Sequence, residues 1–183
     1  MAVKGRGRKR TQKARPTCRR RRSRQKGGAA TLLNGADAPS LSSSSAARAP
    51  SLQVAGADDT APFQVESAVQ AQPAVSWTSP PPETYYTFVA WDPDAPAKSW
   101  LHWLITNITG PDPTTGEEVA PWVPPTPPPG TGPHRYIFGL FSHTSPIDIS
   151  PPASRGNFQL TAFAGEHGLS FLTFKAFRVK PAA

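Results

Sequence analysis

The chain has 183 residues, a formal net charge of +8 and a single cysteine, Cys18. That length suits one domain of ordinary size with an appendage, and one cysteine excludes an internal disulfide framework and leaves nothing to argue for an oxidising compartment. No apolar run approaches the roughly 20 residues of a membrane-spanning helix, and the N-terminus lacks the apolar core of a secretory signal, so the expected setting is intracellular, in nucleus or cytoplasm.

Charge divides the chain. Residues 1–26 carry thirteen Lys or Arg and no Asp or Glu, whereas residues 27–183 carry seven against twelve, a net of −5. The basic segment of residues 1–28 has almost no apolar side chains to bury, and its like charges repel, so it is expected to be a disordered tail. Two clusters stand out: Lys4, Arg6, Arg8, Lys9 and Arg10, then Arg19, Arg20, Arg21, Arg22 and Arg24. Such density neutralises phosphates and releases counterions, which suits nucleic-acid binding indifferent to sequence, and short basic blocks also direct nuclear import. A solvated tail without a partner is the bland alternative. An organellar transit peptide is another, although it needs an apolar helix face that Met1, Val3 and scattered alanines do not supply.

Residues 29–50 are rich in Ala and Ser without a sustained period and read as a linker, leaving residues 51–183 as the folded body. Alternation predicts edge strands at Ser51–Ala55 and Phe63–Val69 and a short one at Val75–Trp77. Tyr85–Asp92 (YYTFVAWD) is dense in β-branched and aromatic residues and reads as a central strand. Trp100–Thr109 is the next, followed by a turn at Thr114–Glu118 and a Pro-rich loop over Val119–Thr131. Arg135–His143 is a third strong strand; Asn157–Phe163 and Leu169–Val179 follow, the latter one long strand or two around a bulge. Helical periodicity is nearly absent, with one candidate near Ser154–Ala164. Asn107-Ile108-Thr109 matches a glycosylation sequon, read as a coincidence within a strand. The pattern predicts a mainly β sandwich or a sheet-rich mixed fold.

Two stretches hold the candidate chemistry. In Asp92-Pro93-Asp94-Ala95-Pro96, prolines stiffen the chain around two carboxylates. One carboxylate can accept from a histidine or arginine while the other bonds local amides; the pair can equally do no more than satisfy a turn. X-Pro bonds here are where a cis peptide is to be sought. Gly130-Thr131-Gly132-Pro133-His134-Arg135-Tyr136 combines a flexible backbone, able to form an anion-binding nest, with His and Tyr donors. It is not a nucleotide P-loop, since no Gly-Lys-Ser/Thr ending or helix follows. Strict alternation in Trp100–Trp103 puts Trp100 and His102 on one face and Leu101 and Trp103 on the other. A lone histidine in such a strand is more often packed structure than a ligand contact.

These segments resemble the two signature regions of the phosphatidylethanolamine-binding protein family, also called Raf-kinase-inhibitor-like proteins. The first matches at Asp92–Pro96 followed by Trp100-Leu101-His102-Trp103 and Asn107-Ile108. The second matches at Pro127–Tyr136, then Phe138 and Phe141, with flanking likeness at Pro73–Trp77 and Arg155–Phe158. The resemblance covers roughly residues 50–180. It implies a mainly β, sandwich-like fold with a surface pocket for phosphate or a phosphorylated head group, and members that are generally not enzymes but bind phosphatidylethanolamine, inhibit kinases or proteases, or act as adaptors. By motif position the ligand-binding residues are Asp92, Asp94, Pro96, His102, Gly132, His134 and Tyr136, with Arg135 a partner of the acidic loop. No cofactor or metal is implied. The sequence departs from many members in the short AKSWL stretch after Pro96, and in ending at Ala183 just after the last predicted strand, where a closing helix is often found.

Three other chemistries fit less well. Asp92, His102 and His134 are zinc-type donors but lack a close His pair. Ser99 and Ser142 read as ordinary loop and strand residues rather than nucleophiles. Val123–Pro129 can serve as a polyproline ligand, but its place in the second signature favours a structural role. The expected function is therefore a binding module for a phosphate or phospholipid head group, with nucleic acid as partner of residues 1–26 and a protein partner such as a kinase. The competing expectation is a structural nucleoprotein whose β domain contacts only proteins.

Overall fold

The structure is a computed structural model and describes residues 50–56, 62–78 and 84–182. The basic tail, the candidate nucleic-acid contacts and all but the last residue of the linker lie outside the described residues. The strands are β1 (Leu52–Val54), β2 (Gln64–Val65), β3 (Val75–Trp77), β4 (Tyr85–Asp92), β5 (Trp100–Thr109), β6 (Glu117–Ala120), β7 (His134–His143) and β8 (Ser170–Lys180), with one helix, α1 (Leu160–Glu166), between β7 and β8. Short 3-10 turns occupy Glu66–Val69 and Pro113–Thr115.

Six strands form one sheet in the order β2-β8-β7-β4-β5-β6, antiparallel throughout except for β2 beside β8, while β1 and β3 pair as a separate ribbon. The mainly β expectation holds. β4 lies at the centre, buried along all but its first residue, because both faces of the sheet are covered. On one face Tyr86, Phe88, Ala90, Tyr136, Phe138, Leu140, Phe177 and Val179 pack beneath the β1–β3 ribbon. On the other, Val89, Trp91, Leu101, Ile137 and Phe141 pack beneath Leu160 and Ala164 of α1. At roughly 1.5–3 kcal/mol per fully buried large apolar side chain, these two layers supply the dominant favourable term.

Three segments differ in kind from the sequence reading. Asn157–Phe163 is not a strand: it leads into α1, whose buried Leu160 and Ala164 stand one helical turn apart and face the sheet. Phe63–Val69 yields only Gln64–Val65 as strand before the chain tightens into a 3-10 turn. The Pro-rich loop begins later than Val119, since Glu117–Ala120 pairs with β5 as an edge strand whose two glutamates hide its alternation. The last predicted stretch, read as one long strand or two around a bulge, is the single strand Ser170–Lys180, and its pairing slips between Leu140 and Phe141, leaving Leu172 as the extra residue of a bulge. The sequon asparagine is held in structure: the Asn107 side chain donates to Ile147 O and accepts from Ile147 N, at 2.8 and 2.9 Å.

Candidate functional site

The site is built where β4 ends, β5 begins and β7 begins. Asp92 closes β4 on the face that carries Tyr86, Phe88 and Ala90, and it is 3% exposed. Its Oδ1 accepts from the Asp94 amide at 2.8 Å, an Asx turn that fixes the corner. Its Oδ2 faces His134 Nδ1 at 2.7 Å, so the ionised carboxylate accepts from an Nδ1–H. Burial raises the Asp92 pKa above its ordinary value, against the hydrogen bond and charge of His134, which lower it. Asp94 serves a different partner. Arg135 donates to it from its backbone N and Nε (2.9 and 2.8 Å to Oδ2) and from Nη2 (2.7 Å to Oδ1). Burial works against the Asp94 charge, but these bonds outweigh it and its pKa falls below the ordinary value. The acidic loop is thus riveted to β7 twice. Pro96 is exposed in that loop, and no cis peptide bond occurs among the described residues.

His102 reaches the same face by a bulge rather than by alternation. Ala90 pairs with Trp103 and Trp91 with Leu101, so His102 is the extra residue of β5. Trp103 consequently joins the ribbon-side core and Leu101 the helix-side core. His102 packs beside Trp103 on the ribbon side, its ring 5.0 Å from Tyr136 and 6.3 Å from Trp122 between centroids. Strict alternation had put His102 and Trp103 on opposite faces; an inserted residue resets the period and re-aims the side chain. Its Nδ1–H donates to Val123 O at 2.6 Å. Burial lowers the His102 pKa to about 4, with Arg155 and His134 adding to the effect and the Val123 bond opposing it. His102 is therefore neutral at pH 7, and its Nε2, which carries no hydrogen bond among the described residues, is a lone-pair acceptor.

His134 is the other ring. Its Nε2 lies 2.7 Å from Thr131 Oγ1, which is itself 2.7 Å from Pro128 O. The hydroxyl has one proton for two neighbours. Donated to Pro128 O, it leaves Oγ1 to accept from Nε2. Gly130 and Gly132, at φ +84° and +78°, let the backbone turn Thr131 onto the ring. Tyr136 lies beside His102, with ring centroids 5.0 Å apart, and its hydroxyl is close to Asp92. Burial, then the Asp92 charge, raise its pKa well above the ordinary value, so its hydroxyl keeps its proton. The cluster is closed in this structure, with His102 and His134 only 4% and 2% exposed.

Of the seven motif residues, four converge on one face: Asp92, His102, His134 and Tyr136. Asp94 pairs with Arg135 instead, while Pro96 and Gly132 belong to the flanking loops. Sequence reasoning missed two neighbours. Arg155 donates from Nη1 to the carbonyls of Leu101 and His102, at 3.3 and 3.1 Å, and so caps the bulge; an arginine with no acid near it in sequence was the available signal. Ser99 is not an ordinary loop residue. It is buried at φ +85° and its hydroxyl has no hydrogen-bond partner among the described residues. His143, a third buried histidine, sits at the far end of β7 against Thr87 and Ser145 and is no part of the cluster. Among the described residues no group of three or more His, Cys, Asp or Glu is arranged to hold a metal ion, and no helix is long and apolar enough to cross a membrane.

Comparison with known proteins bears on this geometry. A curated relative, Protein MOTHER of FT and TFL1 homolog 2 of Oryza sativa subsp. japonica, is 39% identical over 98 residues, which cover 48% of this chain and 55% of the relative. The chain thus spans about half the length of that protein. Among solved structures, a carboxypeptidase Y inhibitor complexed with its cognate proteinase is similar in fold, with a TM-score of 0.59 at 19% identity over 66% of this chain and 76% of that one. The phosphatidylethanolamine-binding protein of Plasmodium vivax superposes with a TM-score of 0.55 at 18% identity, covering 66% and 77%. The sequence model of the phosphatidylethanolamine-binding proteins matches residues 42–177. With that match running through both signatures and most of the sheet, the chain belongs to the phosphatidylethanolamine-binding protein family.

Proposed function

We propose that residues 51–183 form a non-enzymatic binding module that takes a phosphorylated head group at the Asp92–His134 corner. The observation that carries this is the unlike wiring of two histidines on one face. His134 is anchored through Nδ1 and offers Nε2 to an exchangeable hydroxyl. His102 is anchored through Nδ1 and offers Nε2 as an acceptor. A phosphate oxygen replaces Thr131 Oγ1 on His134, and the ligand enters as the exposed Thr131 turn moves aside. An ammonium group donates to His102 Nε2. A phosphoethanolamine head group satisfies both.

The names of the relatives, a lipid-binding protein and a proteinase inhibitor, support binding over turnover; on this reading the module has a regulatory or adaptor role with a protein partner such as a kinase. The basic tail, joined through residues 29–50, binds nucleic acid or directs nuclear import, and the protein works in nucleus or cytoplasm.

Calorimetry on the full chain tests the pocket. Phosphoethanolamine binds about five-fold tighter than phosphocholine, which lacks an N–H, a difference of about 1 kcal/mol for one hydrogen bond. His134→Ala abolishes the heat, while Thr131→Val, which removes the internal competitor from an exposed position, tightens binding. No heat from the parent with either ligand overturns the reading and leaves the structural nucleoprotein.

A further inference from the structure

On the same face as the polar cluster, beneath the β1–β3 ribbon and the Glu66–Val69 turn, lies a cavity of about 250 Å³. Its floor is aromatic, made by Trp122, Phe138 and Phe177, and its rim is made of small residues such as Ala68 and Ala71, with Gln72 the one polar side chain. The alanines at the rim are exposed while Phe138 and Phe177 are buried, so the cavity opens to solvent above a covered floor. Side chains that would fill the gap between ribbon and sheet are too short to do so. Rings facing such a gap forfeit dispersion contacts on that side.

We infer that this cavity is a second binding site, for a small aliphatic or aromatic group, which shares walls with the polar cluster. An engineered apolar cavity of ~150 Å³ accommodates benzene, so the space here admits a ring or a short alkyl segment. The shared walls are specific. Trp122 lies 6.3 Å from the His102 ring, and Phe177 is stacked 6.0 Å from Tyr136. Trp122 is also continuous with the loop whose Val123 carbonyl holds His102 Nδ1. A group pressed against Trp122 therefore biases the position of the acceptor histidine, and head-group affinity responds. That coupling rests on the proposed head-group site; occupancy of the cavity does not. The group is either the tail of the molecule whose head sits at His134 or a separate apolar molecule.

The test is a titration of the full chain with hexan-1-ol, followed through the Trp122 indole N–H resonance. The expected result is a saturable shift in the parent and an apparent Kd raised at least ten-fold by Ala71→Phe and by Ala68→Leu. Both substitutions fill the cavity from exposed rim positions, so one remains informative if the other fails to fold. Hexyl phosphate separates the sources. Binding tighter than inorganic phosphate, with the gain lost in A71F, identifies a tail; no gain beside intact hexanol binding identifies a separate molecule. Either result supports the site. No saturable shift in the parent, or shifts unchanged in both filled variants, overturns it. A hexanol response without phosphate binding supports the cavity and counts only against the head-group reading.

Discussion

Two side chains at the site hold conformations or protonation states that cost stability. Ser99 sits at φ +85° with its hydroxyl buried and, among the described residues, unpaired. A non-glycine residue in such a region costs about 1–3 kcal/mol, and an orphaned buried hydroxyl adds to that. Ser99→Gly is therefore expected to stabilise the chain by about 1–2 kcal/mol, read as a higher denaturant midpoint at unchanged slope. His102 imposes a pH dependence. The unfolded chain takes up its proton near pH 6.5, whereas the folded chain refuses it until about pH 4. Above pH 6.5 both states are neutral and His102 contributes no slope. As pH falls from 6.5 to 4 only the unfolded state is protonated, so stability falls, by roughly 3 kcal/mol in all. Asp94, with its lowered pKa, adds a loss further into acid, below its ordinary value of 3.8. Asp92 acts in the opposite sense. Its raised pKa means the folded state holds a proton more readily, a contribution present in acid and lost as pH rises through the folded pKa. Unfolding free energies measured from pH 7 to 4 should show the decline, and His102→Gln should flatten it; an equal slope in parent and variant refutes the assignment.

At the scale of elements, the β5 bulge decides whether there is a site at all, because it turns His102 onto the face that Asp92 and His134 share. Arg155 is the residue that caps it. Arg155→Met removes donors from two carbonyls and a positive charge near His102, so it should cost about 1–3 kcal/mol and move the His102 titration upward from about 4, followed by its imidazole resonances. Arg155→Lys should keep part of the charge effect and less of the bonding. This bulge also marks the limit of what the sequence made legible. β4 and β5 were readable to the residue, since aromatic and β-branched runs bounded by Pro and Gly leave few alternatives. Asp92, His134 and Tyr136 were readable as neighbours through the resemblance of their two segments to the family's signature regions. The insertion at His102, the capping by Arg155 and the strain at Ser99 were not, since each depends on a partner from another part of the chain. α1 was blurred for a local reason: Phe158 and Leu160, two residues apart at its start, have strand-like apolar spacing, and only burial of Leu160 and Ala164 selects the helix.

At the scale of the whole molecule, opposite charges are segregated along one chain, thirteen basic residues in residues 1–26 against a net −5 beyond. A tail that neutralises several phosphates should lose affinity steeply with salt, by about 10³-fold or more between 50 and 200 mM for six or more contacts. Full-length protein is expected to bind DNA or RNA in this way and a chain lacking residues 1–28 to lose it; equal binding by the two removes the tail from the account. The body makes the more specific claim, that two differently wired imidazoles share one ligand. A crystal structure of the full chain grown with phosphoethanolamine tests it most directly. It should place a phosphate oxygen within about 3 Å of His134 Nε2, with Thr131 Oγ1 displaced and the ammonium against His102 Nε2. A ligand bound elsewhere, with the Thr131 hydroxyl still on His134, would contradict it.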